Sequence, residues 1–244
     1  AVIVASRNNL RLGASQIKLM AGGGVSSLYD QLEDVQYFED ELHAAVMAAE
    51  DAGTYVMVHV YVPEAIRRAI RAGVKSIEHG QLIDEPTMKL IAEKGVWLSM
   101  QPFIGEGNNH YTNPVQQAKH ELVVQGTDRA YQLAKKYGVK LAWGTDLLFS
   151  PANARNQNLN IEKMTRWFSN FEILKMITHD NAELLALSGR RNPYPGKLGV
   201  IEEGALADLI VVDGNALEDI KVLTDPGKNM LLIMKDGKIY KNDL

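Results

Sequence analysis

The chain has 244 residues, 46% of them hydrophobic and 23% charged, and no cysteine. These are the proportions of an ordinary globular protein with a sizeable core, and the missing thiols leave His, carboxylate or modified Lys as the side chains able to hold a metal. A formal charge of −4 with scattered basic residues offers no footprint for nucleic acid, and no apolar run reaches the roughly 18 residues of a membrane span.

The first residues, AVIVASRNNLRLGASQIKLM, read as a helix running into a strand at Ile17–Met20. They lack the basic leader, apolar core and cleavage site of a signal peptide; the compartment stays open, with the cytoplasm favoured. Further strand-like runs follow at Val56–Val60, Ser76–His79, Val96–Met100 and Lys140–Trp143. Helical patterns at Glu39–Ala52, Glu64–Ala72, Pro86–Lys94 and Val115–Tyr137 separate them, and another, Asn170–Leu187, comes after the last strand. Alternating strands and helices imply an α/β protein with a parallel sheet, either doubly wound or a (β/α)8 TIM barrel. The barrel is preferred, with these five strand–helix units as its last five. Gly22-Gly23-Gly24 lacks the spacing of a dinucleotide fingerprint and reads as a permissive loop at the mouth of the sheet.

From Gly196 onward the runs are short and β-rich, with a hairpin signal at Asp236-Gly237. This predicts a small β-sandwich-like element at the carboxyl end. The division expected is 1–190 for the barrel portion and 191–244 for the small β domain, with Pro193-Tyr194-Pro195 near the boundary.

The stretch Val56–Gly80 is a strand–helix–strand unit, which delivers the ends of its two strands to one side of a sheet. It brings His59 and His79 together as metal-ligand candidates. Lys18 and Asp146 also fall at or beside the carboxyl end of a predicted strand, the end that forms the active-site face of a barrel. His43, His120 and His179 lie in helical patterns and read as structural or exposed.

The ordered stretches IKLMAGGGVSS, VMVHVYVPEAIRRAIRAGVKSIEHG, LAWGTD and GVIEEGALADLIVVDGN resemble the amidohydrolase superfamily of metal-dependent hydrolases. They look most like the imidazolonepropionase-related branch that includes Xaa-Pro dipeptidases. The resemblance implies that Lys18 is a carboxylated lysine bridging two metal ions. It implies that His59 and His79 hold the second ion, and that Asp146 touches the first and takes the proton of the attacking water. Zinc is the expected metal, as one or two divalent ions. Tyr61 stands where many relatives place a second histidine that meets the substrate carboxylate; His110, Tyr111 and Arg155 are further candidates for substrate binding.

The implied function is hydrolysis of amide or peptide bonds, of dipeptidase or carboxypeptidase type. The alternatives are a deaminase or cyclic amidase of the same superfamily, or a non-catalytic half-barrel scaffold. One departure is large: the chain contains no HxH pair and none of the first three barrel units. The expectation is therefore the carboxyl-terminal part of a longer protein. Its partners would be a dipeptide or other small-molecule substrate and either the missing amino-terminal barrel segment or a second copy of itself.

Overall fold

The structure, a computed structural model, describes residues 1–105, 111–147 and 151–244. Its first compact unit comprises 1–142 and 184–193. After a helix, α1 (Val2–Arg11), the chain lays down five strands: β1 (Ile17–Met20), β2 (Val56–Val60), β3 (Ser76–His79), β4 (Trp97–Met100) and β5 (Leu141–Trp143). They form one sheet in the order β1-β2-β3-β4-β5, and the pairs β1–β2, β2–β3 and β3–β4 are parallel. Between them run α2 (Glu39–Asp51), α3 (Pro63–Arg71), α4 (Glu85–Lys94) and α5 (Pro114–Tyr137).

Local signals explain each helix. In α3, Pro63 opens the first turn and Glu64 follows it, while Arg68 and Arg71 lie in the last turn, as the helix dipole favours. Its Ala65, Ile66, Ala69 and Ile70 recur at helical spacing and are all buried. Burying each isoleucine is worth about 1.5–3 kcal/mol. Asp84 caps α4 by accepting from Thr87 N–H at 2.9 Å, and Asn113 caps α5 through Val115 N–H at 2.9 Å. Both helices stop at a left-handed glycine, Gly95 and Gly138.

The register divides the sheet into two faces. Ile17, Leu19, Val56, Val58, Val60, Ile77, Leu98 and Met100 are buried and form one. The other carries Lys18 opposite Met57, then Met20, His59, Glu78 and Ser99 in successive register. The polar residues of four strands thus share a single face.

The second unit comprises 143–183 and 194–244, so the chain changes unit at Ala142/Trp143, at Glu183/Leu184 and at Pro193/Tyr194. Here β6 (Leu209–Val212), β7 (Met230–Lys235) and β8 (Lys238–Asn242) form a three-stranded antiparallel sheet in that order. Asp236 and Gly237, with φ of 50° and 72°, make the tight β7–β8 turn that the Asp-Gly pair signals. A single antiparallel sheet stands where a sandwich-like element was expected. The long helix expected at Asn170–Leu187 is interrupted: Asn170–Lys175 and Asn181–Ala186 are α-helical, with a π-turn at Met176–Asp180 between them. The Thr178 hydroxyl donates back to Leu174 O at 2.7 Å within it, a local bond that competes with the regular helical ladder.

Candidate active site

His59 lies on β2 and His79 ends β3, and their ring centroids are 4.5 Å apart at 73°. Strict alternation would not bring them together. His79 is in register with Val60 and not with His59, which faces Glu78. The backbone resolves the conflict: φ at His79 is +80°, which breaks the pleat and turns the ring to the face of His59. Gly80 follows at φ +70°. A non-glycine residue held at positive φ costs about 1–2 kcal/mol, and such strain collects at functional sites.

Each imidazole is oriented by an oxygen. His59 Nε2 lies 3.1 Å from the Gly23 carbonyl, and His79 Nδ1 lies 2.7 Å from Gln101 Oε1. Both oxygens are acceptors only, so Nε2 of His59 and Nδ1 of His79 carry the protons. Nδ1 of His59 and Nε2 of His79 then keep lone pairs. A histidine whose second nitrogen is fixed in this way is the usual form of a metal ligand. Burial pushes the pKa of His59 below the ordinary histidine value, helped by the Lys18 ammonium and opposed by the Gly23 hydrogen bond and Asp30. His79, 2% exposed, is lowered to about 3, first by burial, then by His59 and Lys18, against the Gln101 hydrogen bond. Both rings are neutral at physiological pH.

Lys18 is exposed, on the face of the sheet that carries His59, and its charge is felt by both rings. Tyr61 is buried and stacks on His79 with centroids 5.1 Å apart and 26° between planes; it meets His59 edge-on at 5.2 Å. Among the described residues no three His, Asp or Glu converge on one point. The donors assembled in this unit are two oriented, neutral imidazoles, whose chemistry fits a divalent ion.

The loop following β1 is part of the site. Ala21 and Gly22 N–H both donate to the His59 carbonyl, at 3.0 and 3.2 Å. Gly23 is sterically obligatory, since a Cβ there would lie 1.8 Å from the Gln31 carbonyl oxygen. The reading of these glycines as merely permissive missed that one of them supplies the acceptor for His59. Gln101 was missed as well. It stands just past the carboxyl end of β4, the position that singled out the histidines, but glutamine is not a metal-ligand type.

Tyr111 is half-buried, its hydroxyl 3.0 Å from Ser26 Oγ on the β1 loop, and its ring packs beside His120 and the apolar cluster of Val25, Leu32, Tyr61 and Val123. His110 lies outside the described residues. Asp146 and Arg155 belong to the second unit. Asp146 is exposed, three residues past the end of β5, at φ +50°. The Asn181 side chain bonds both backbone groups of Trp143, accepting from its N–H at 2.9 Å and donating to its carbonyl at 3.0 Å. It thereby completes the strand end ahead of Asp146 as a neighbouring strand would. Arg155 is exposed in the turn after Pro151–Ala154. His43 is exposed, and His179 Nδ1 is 2.8 Å from Asp180 Oδ1.

The chain is similar to known proteins over nearly its whole length. Ochratoxinase of Aspergillus niger is 34% identical over 241 residues, 97% of this chain and 48% of that protein. A crystal structure of a prolidase complexed with N-methylphosphonate-L-proline superposes with a TM-score of 0.89 at 37% identity, over 99% of this chain and 58% of that one. A Xaa-Pro dipeptidase with methionine bound in its active site gives 0.86 at 32%, over 99% and 58%. The chain thus spans about half the length of the curated relatives it matches. The sequence profile of the amidohydrolase family matches residues 1–240, and the chain belongs to that family.

Proposed function

We propose that this chain carries the histidine pair of a metal-dependent hydrolase that cleaves amide bonds in dipeptides of the Xaa-Pro type. The observation that carries the reading is the orientation of His59 and His79, two neutral imidazoles with their free nitrogens set by Gly23 and Gln101. Similarity to the prolidase and the Xaa-Pro dipeptidase supports the substrate class. In this reading residues 1–190 are part of an eight-stranded barrel and 191–244 its small β domain.

His59 Nδ1, His79 Nε2 and a carboxylated Lys18 would hold a zinc ion, or share two. When bound, such an ion would supply a water of pKa about 7 and a positive charge to polarise the scissile carbonyl. Asp146 accepts the proton of the attacking water and returns it to the leaving nitrogen. Arg155, His110, Tyr111 and Tyr61 are assigned to the substrate, the first through its charge and the tyrosines through phenol and ring.

The test is a panel of Xaa-Pro dipeptides and N-acyl amino acids against lactams and aminated heterocycles, with zinc supplied. Turnover of the peptides is expected, and Asp146→Asn should lower kcat by about 10²–10⁴ with KM little changed. Turnover confined to lactams or aminated heterocycles would replace the peptidase reading with a cyclic amidase or deaminase.

A further inference from the structure

Lys119 in α5 is 4% exposed although it carries an ammonium. Removing such a head from water is costly unless its donors are satisfied. Its Nζ donates to the carbonyls of Gly24 at 3.1 Å, Ser27 at 2.9 Å and Asp30, and stands 3.3 Å from Asp30 Oδ1. Four oxygens of one short segment of the β1 loop surround a single nitrogen, as they would a bound cation. The same helix face holds that segment on either side. Gln116 donates to the Ser26 carbonyl, and Val123 packs with Val25 and Leu32.

The carboxylate gathered by Lys119 acts in turn on one peptide unit. Asp30 Oδ1 accepts the Gly24 N–H at 3.3 Å. The carbonyl of that same planar unit is Gly23 O, the 3.1 Å acceptor of His59 Nε2. Because N–H and C=O of a trans peptide point in opposite directions in one plane, fixing the first aims the second. A carboxylate on the N–H also polarises the carbonyl and makes it a stronger acceptor.

We infer that Lys119 is a positioning residue for His59, acting through Asp30 and the Gly23–Gly24 peptide to hold the imidazole in the tautomer that leaves Nδ1 free. Its consequence for metal binding rests on the proposed function; its effect on the tautomer does not.

Proton–nitrogen correlation spectra of the imidazoles, recorded on the metal-free full chain, read the tautomer directly. Wild type should show His59 protonated at Nε2. In Lys119→Met and Asp30→Ala, His59 should populate both tautomers, while His79, held by Gln101, is unchanged. Asp30→Asn keeps an acceptor for the Gly24 N–H and should fall between. Zinc affinity in Lys119→Met should drop about 10–100-fold, as for loss of other groups that orient metal ligands. Folded variants whose His59 stays wholly Nε2-protonated would overturn the inference. Should Lys119→Met fail to fold, Asp30→Ala, which leaves Lys119 its three carbonyls, tests the same link through the same spectrum. A wild type that binds no zinc, with the tautomer still shifting in the variants, sinks the metal reading and leaves the positioning role standing.

Discussion

At the scale of single residues the site depends on a backbone exception. His79 meets His59 only because its φ is +80°. Removing Cβ should relieve that strain, so His79→Gly should be more stable than His79→Ala by about 1 kcal/mol, read from urea midpoints. Equal midpoints would mean that the conformation is unstrained. The sign of the pH dependence also follows from His79. Its folded value is about 3 and its unfolded value about 6.5, so between them the unfolded chain binds a proton that the native one refuses. Stability from this group is complete above about pH 6.5 and is lost as pH falls toward 3. Urea midpoints of the metal-free protein should therefore decline over that window, and His79→Gln should flatten the decline. Both histidines were legible as strand-end residues. The positive φ was not, since period-two alternation assigns Glu78 to the face of His59 and nothing in SIEHG marks the exception.

At the scale of elements the repeated strand–helix units were readable because each helix carries its own start and stop. The caps Asp84 and Asn113 and the glycines Gly95 and Gly138 are local signals. What eluded the sequence is the grip of α5 on the β1 loop. Lys119 contacts residues more than eighty positions away, and a lysine in a helical pattern ordinarily reads as solvated. The glycines of that loop provide a matched pair of variants. Gly23→Ala would set a Cβ 1.8 Å from the Gln31 carbonyl oxygen, whereas at Gly24 the nearest atom is 3.7 Å away. Gly23→Ala should reorganise the loop and weaken zinc binding about 10–100-fold, while Gly24→Ala should bind nearly as wild type. Equal zinc affinities by competition titration would show that the Gly23 carbonyl is not what orients His59. A second close approach, Gly126 of α5 against the Gln81 carbonyl at 2.3 Å from a would-be Cβ, predicts that Gly126→Ala lowers the thermal midpoint by displacing α5.

At the scale of the whole molecule, the five-stranded parallel sheet and the antiparallel β element were legible from order and spacing. The partition of the chain was not. Residues 143–183 cluster with the carboxyl-terminal segment although they follow directly on β5, and only three-dimensional contacts reveal that. The proposed function turns on His59 and His79 holding a metal ion together. Zinc stoichiometry addresses this without an assumed substrate, by equilibrium dialysis and elemental analysis of the wild-type chain beside His59→Ala and His79→Ala, each confirmed folded. At least one zinc per wild-type chain is expected, with the ion at this pair lost in either variant. A wild type without zinc, or variants that retain its full complement, would overturn the assignment.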